Sequence, residues 1–256
     1  MDTLILFNFI LILIISVVLF VSKKWIKSER AERILFLAAP TVTILCHYST
    51  LIYLIFCGGD VYGYIASNPN LILPIYPCNV VMWCALIYGI MKTKVSKFAL
   101  FVSDYVFWFG LISTLVGMFA NVDFIVNPTL KDYEVTKSIL AHATLLFNVL
   151  LIPVFHRLRP TFKRNMINMV ISVIVMYVIG LYCNLAFRAL VSADAAYDVN
   201  SMFIIHSPFE AVPFLRYPFI AAVGLVIYLI IFTAVDMIKT KKGSRWFNRI
   251  SPFHEG

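Results

Sequence analysis

Apolar residues along this chain fall into seven long blocks, at about 3–22, 34–57, 71–91, 98–120, 135–155, 165–190 and 214–238. Each block is close to the roughly 20 residues that cross a bilayer as a helix. Lipid offers no partners to backbone N–H and C=O groups, so each block is predicted to be helical. The pattern predicts an all-α integral membrane protein, a seven-transmembrane-helix bundle. The first block, Leu4 to Val21, lacks a basic flank before it and a small-residue cleavage site after it, and reads as a retained helix.

Composition supports this reading. The chain is 61% hydrophobic and 13% charged, where a soluble domain carries about 25% charge. That predicts a single transmembrane domain over residues 1–256, with a basic tail at 239–256. The net charge of +8 is better read loop by loop than as a footprint for nucleic acid, and no nucleic-acid partner is expected. Lys23, Lys24, Lys27, Arg30 and Arg33 follow the first block, Lys92, Lys94 and Lys97 the third, and Arg157, Arg159, Lys163 and Arg164 the fifth. Lys239, Lys241, Lys242, Arg245 and Arg249 lie in the tail. Only Lys131, Lys137, Arg188 and Arg216 fall on the other side. The positive-inside rule makes the richer side cytosolic, which puts the N-terminus outside and the C-terminus in the cytosol. The membrane is the plasma membrane in a bacterium, or an endomembrane in a eukaryote. Trp246, Phe247 and Phe253 in the basic tail suit either contact with anionic inner-leaflet lipid or an ordinary flank.

Polar and reactive residues inside the blocks are the candidates for chemistry, because burying them in lipid is costly. They are His47, Cys78, Asn79, Asp104, His142, Asn148, Asn184 and Arg188. Cys78 and His142 each lie seven residues into blocks that enter from the outside, about 10 Å deep at 1.5 Å per residue. A thiol beside an imidazole is a nucleophile beside its base. In the run Leu73-Pro74-Ile75-Tyr76-Pro77-Cys78-Asn79, two prolines break the helix just before the cysteine. Irregular backbone at that depth belongs where protein buries it or a cavity adjoins it. Asn79 or nearby backbone donors are candidates to stabilise an oxyanion. The alternatives are plain: Cys78 as a packing thiol, His142 and the asparagines as interhelical hydrogen-bond partners. Five cysteines (Cys46, Cys57, Cys78, Cys84, Cys183) show neither metal-type spacing nor a disulfide framework. The loop at 191–213 carries no Lys or Arg and holds Asp194, Asp198, His206, Pro208, Glu210 and Pro213. Its length suits a lid, a re-entrant element or an external connector.

Several of these residues fall in one ordered set: Leu73-Pro74-x-x-x-Cys78-Asn79, Gly110-Leu111, His142 with Arg159-Pro160 seventeen residues on, and Asn200-x-Met202 with Pro208 beyond. In this order the chain resembles the YwaF family of multispanning membrane proteins over about residues 73–210. Tyr76-Pro77 stands where that pattern has a pair including a histidine, and Ala120-Asn121-Val122-Asp123 where it has a Thr-Pro-Asp turn. A vertebrate relative of the family, transmembrane protein one-hundred-and-sixty-four, is a cysteine acyltransferase acting on ether phospholipids. The resemblance implies that Cys78 is the acyl-accepting nucleophile and His142 its base; Asn79, His47, Asn184, Asn200 and Met202 are expected in supporting or substrate-binding positions.

The expected function is an intramembrane lipid acyltransferase or lipid esterase, with a phospholipid or lysolipid as its partner and no cofactor. The rival is a transporter or receptor. The last block, Phe214 to Ile238, holds no lysine, which excludes an opsin-type Schiff base there. Transport is disfavoured by the presence of one broken helix and no internal repeat. A haem or metal held by His47 and His142 has no motif behind it.

Overall fold

The computed structural model describes residues 2–91, 96–119, 129–158, 161–208 and 211–247. Lys92, Lys94, Arg159-Pro160, Glu210, Arg249, Phe253 and the turn-like segment at 120–123 lie outside these residues. The described chain is all-helical. In order it forms α1 (Asp2–Trp25), α2 (Glu29–His47), α3 (Ser49–Cys57), α4 (Val61–Ser67), α5 (Pro77–Ile90) and α6 (Lys97–Phe119). It continues with α7 (Tyr133–Val154), α8 (Phe162–Leu190), α9 (Ala193–Val199) and α10 (Tyr217–Lys239).

Local signals explain where helices start. The Ser28 hydroxyl accepts from the Ala31 N–H at 3.2 Å to begin α2. The Asp132 carboxylate accepts from the Glu134 N–H at 2.8 Å to begin α7. Both satisfy donors that the helix itself leaves open. Among the described residues, five helices are long and apolar enough to cross a membrane, and α2 with α3 makes a sixth if the pair is one span. That pair bends by 61° at Tyr48, so the block at 34–57 is not one straight helix. The block at 71–91 is shorter than its hydropathy indicates. Residues 69–71 form a 3-10 turn, and α5 begins only at Pro77, whose missing N–H costs nothing at a first helical position.

The exterior is apolar: Phe9, Leu13, Phe20, Ile174, Tyr182, Val226 and Ile230 are all exposed along α1, α8 and α10. An apolar surface that wraps the whole bundle is lipid-facing, and the protein is integral to a membrane.

Inside, α2, α5, α6 and α7 pack together as the core, with α1 against α7 and α8 against α6. Glycines set the closest approaches. A Cβ on Gly110 of α6 would stand 2.6 Å from Val149 Cγ2 of α7 and 2.9 Å from Val81 Cγ1 of α5, so three helices share one level there. A Cβ on Gly89 of α5 would stand 2.2 Å from the Phe36 carbonyl oxygen of α2. That carbonyl lies four residues before Pro40, which has no N–H to offer it.

Polar pairs cross the core. Asn148 donates to the Thr43 hydroxyl at 2.8 Å. The Asn8 side chain donates to the Met118 carbonyl, tying α1 to α6. At the basic end Asp104, 1% exposed, accepts from Arg164 at 3.0 Å and from Asn168 at 2.8 Å. Asp104 is therefore an interhelical partner of α8. Arg157 meets Glu32 at 2.6 Å, and this pairing raises the arginine's affinity for its proton. Trp246 in the tail stacks on Phe162 at 4.4 Å, and its backbone and indole N–H groups donate to Asp236 and Thr233. The first aromatic of the tail is thus docked on the bundle.

Gly89→Ala would force α2 and α5 apart, because the atom met is backbone. Overpacking of this kind costs about 1–3 kcal/mol, so the thermal midpoint in detergent should fall by several degrees; an unchanged midpoint would mean that the two helices do not touch at Phe36.

Candidate functional site

Cys78 lies in the first turn of α5, half-buried, with the backbone N–H groups of Cys78 and Asn79 against its sulfur. Asn79 is buried, and its Oδ1 accepts from the Tyr76 N–H at 3.2 Å. That oxygen holds the entry to the helix.

The segment leading into Cys78 is not helical. Its exposed backbone is met by the connection between α8 and α10, which folds inward. The Ile75 carbonyl accepts from the Met202 N–H at 2.9 Å and from the Ser201 hydroxyl at 3.0 Å. Ser201 is held in turn by Asn184 of α8: its N–H donates to Asn184 Oδ1 at 2.8 Å, and Asn184 Nδ2 donates to its carbonyl at 3.2 Å. Asn200 ends α9 in the left-handed region at φ 41°. Its Oδ1 accepts from the N–H groups of Ile205 and His206, and its Nδ2 donates to the His206 carbonyl at 3.0 Å. Met202 has φ 55° and is 2% exposed, packed over Gly180. Non-glycine residues in this region are strained by about 1–3 kcal/mol each and persist where the surroundings fix them. Phe203 places its ring 5.7 Å from that of Tyr76. The connection is therefore an inward-folded support for the pre-Cys78 segment. Asn184, Asn200 and Met202 converge on it.

The histidines stand apart from this clamp. His142 of α7 is half-buried. Its Nδ1 lies 2.8 Å from the Ser138 carbonyl, so Nδ1 carries the proton and Nε2 keeps its lone pair. The ring lies against Gly117 of α6, where a Cβ would stand 2.2 Å from Nε2. Among the described residues no hydrogen bond joins His142 to Cys78. Their equal depth, expected from the blocks, is corrected by the packing. Val81 and Val149 share the level of Gly110. Cys78 is three residues outward from Val81 and His142 seven from Val149, an offset of about 6 Å at 1.5 Å per residue. The miscount arises because α5 starts at Pro77 and not near Leu71. His47 ends α2, with its ring 4.9 Å from that of Tyr48.

Near His47, sequence reasoning missed a polar network. Lys137 Nζ donates to Tyr64 at 2.7 Å and Thr50 at 3.1 Å and pairs with Glu134. Thr50 also donates to Glu134 at 2.7 Å. The i, i+3 spacing of Glu134 and Lys137 was the available signal. Ser201 was missed too, although it sits between Asn200 and Met202. Among the described residues no group of three or more His, Cys, Asp or Glu is placed to hold a metal ion.

Asn184→Leu should free Ser201 and unseat the connection, at about 1–3 kcal/mol for the buried groups left unpaired. Limited proteolysis between α8 and α10 should accelerate relative to wild type; equal rates would mean that Asn184 does not hold the loop.

No curated protein matches the chain, and no solved structure does. The model of the TMEM164 family matches residues 1–236, and the chain belongs to that family.

Proposed function

We propose that this chain is an intramembrane lipid acyltransferase or lipid esterase that works through an acyl-enzyme on Cys78, with His142 as base. The observation that carries the reading is the position of Cys78: a half-buried thiol in the first turn of a shortened helix, behind a segment clamped by a dedicated loop. A packing cysteine needs no such support. The free lone pair on His142 Nε2 suits a base, and Gly117 provides room for its ring. Catalytic hydrogen bonds are often unmade before substrate binds.

In this proposal the bundle crosses the bilayer seven times, counting the bent α2–α3 pair and the short α5. The N-terminus is outside and the C-terminus cytosolic. Seventeen of the 21 basic residues fall, by sequence, in the connections and tail that would then be cytosolic. Cys78 would stand in the outer half of the membrane, within reach of the ester of an outer-leaflet phospholipid or lysolipid.

Purified protein in vesicles containing a phospholipid with a labelled acyl chain should move that chain to a lysolipid or to water. Cys78→Ala and His142→Ala should each lower the rate by at least about 10²-fold. Activity unchanged in both variants would overturn the reading. Labelling with a membrane-impermeant thiol reagent should modify a cysteine added before Leu4 from outside and one added after Phe247 only from the cytosol; the reverse pattern would overturn the orientation.

A further inference from the structure

The level at which Gly110 meets Val81 and Val149 has a neighbour one turn nearer the basic end. Val106 of α6, Ala85 of α5 and Ile152 of α7, each about one turn from those three residues, line one small cavity there. Phe36 and Pro40 of α2 and Asn148 of α7 line it too. The cavity has room for about one water molecule. It lies among the four helices that pack as the core.

Most of its wall is apolar, and a wholly apolar cavity stays dry. Two oxygens change that. Pro40 stands inside α2. The Phe36 carbonyl would accept from the N–H four residues on, and proline has none. Asn148 is 4% exposed, and its Oδ1 has no hydrogen-bond partner among the described residues. The neighbours of this amide fix the way it faces. The Thr43 hydroxyl donates to the Ala39 carbonyl at 3.3 Å, so toward Asn148 its oxygen accepts. Nδ2 therefore meets Thr43, at 2.8 Å, and Oδ1 is left as an acceptor. Tyr88 adds its ring to the wall, edge-on to Phe36 at 5.7 Å, while its electrostatic interaction is with Arg157.

These two groups define the chemistry of the occupant. Both are uncharged acceptors, and they sit on different helices. A small neutral molecule with two donors completes them. A hard cation takes about six oxygen ligands or more, and among the described residues no carboxylate lines the cavity. An anion would meet oxygen lone pairs. An alcohol has one O–H where two are needed.

We propose that this cavity binds one water molecule, which donates one hydrogen to the Phe36 carbonyl of α2 and the other to Asn148 Oδ1 of α7. The junction is then paired throughout: water to Phe36 and Asn148, Asn148 to Thr43, Thr43 to Ala39. A buried acceptor without a donor is costly, and hydrocarbon supplies none. The water ties α2 to α7 at the place where Pro40 takes a bond from α2. It is a structural ligand and not a reactant, because Ala85 lies seven residues, about 10 Å, along α5 from Cys78.

The test is a structure of the whole chain in lipid nanodiscs, at a resolution that shows ordered water. A peak about 2.5–3.0 Å from both the Phe36 carbonyl oxygen and Asn148 Oδ1 is expected. Infrared spectra in ordinary and in heavy-oxygen water report on the same molecule. Wild type should show a hydrogen-bonded O–H stretch that moves with the isotope, and Asn148→Leu should lose it. The proposal is overturned by a map that shows water elsewhere in the bundle but none here, by a peak that does not reach both oxygens, or by a band that survives in Asn148→Leu. Where the leucine variant fails to assemble, the wild-type map decides alone. Neither readout involves lipid turnover, so failure of the acyl-enzyme reading would leave this result standing.

Discussion

The Ile75 carbonyl is the point on which the site depends. It precedes a helix that starts late, and it is answered by the Met202 N–H and the Ser201 hydroxyl. A backbone group in hydrocarbon without a partner costs several kcal/mol, so an irregular segment there must be paired by protein. The 14 residues of α5 reach about 21 Å, short of the roughly 30 Å hydrocarbon core. In the proposed seven-span topology the segment from Pro69 to Tyr76 would bridge the remainder, and the inward fold between α8 and α10 gives it partners. The shortening places a thiol at a helix N-terminus instead of in mid-helix.

Helix spacing is the second constraint. Without a hydrophobic force between helices in lipid, close packing and a few polar bonds hold the bundle together. Gly89, Gly110 and Gly117 each remove a side chain where a neighbouring backbone, valine or imidazole must fit. These contacts fix the register between helices. Packing and chemistry are linked through the same positions.

Much of this was legible in the sequence. The apolar blocks located α1, α6, α7, α8 and α10 to within a few residues, because length and hydropathy report directly on burial in lipid. Pro74 and Pro77 announced the break before Cys78, since proline removes the donor a helix needs. The depth of Cys78 was not legible. Hydropathy treats Leu71 and Ile72 as helix, whereas the prolines leave them in a turn and an extended entry. The bend at Tyr48 carries no proline or glycine at the break itself. Asn184, Asn200 and Met202 could be singled out, but their convergence on Ile75 is tertiary. The facing of His142 toward Gly117 required the packed helices.

Chemically, the proposal asks little of the protein: a thiol at a helix end, an imidazole with a free lone pair and a route for lipid. The most direct test is mass spectrometry of the peptide carrying Cys78 after brief incubation of the membrane-embedded protein with phospholipid vesicles. The account predicts a fatty-acyl mass on Cys78, removed by neutral hydroxylamine as a thioester is, and absent when the vesicle lipid has ether chains in place of esters. An unmodified Cys78 under conditions where the protein turns over lipid would contradict it.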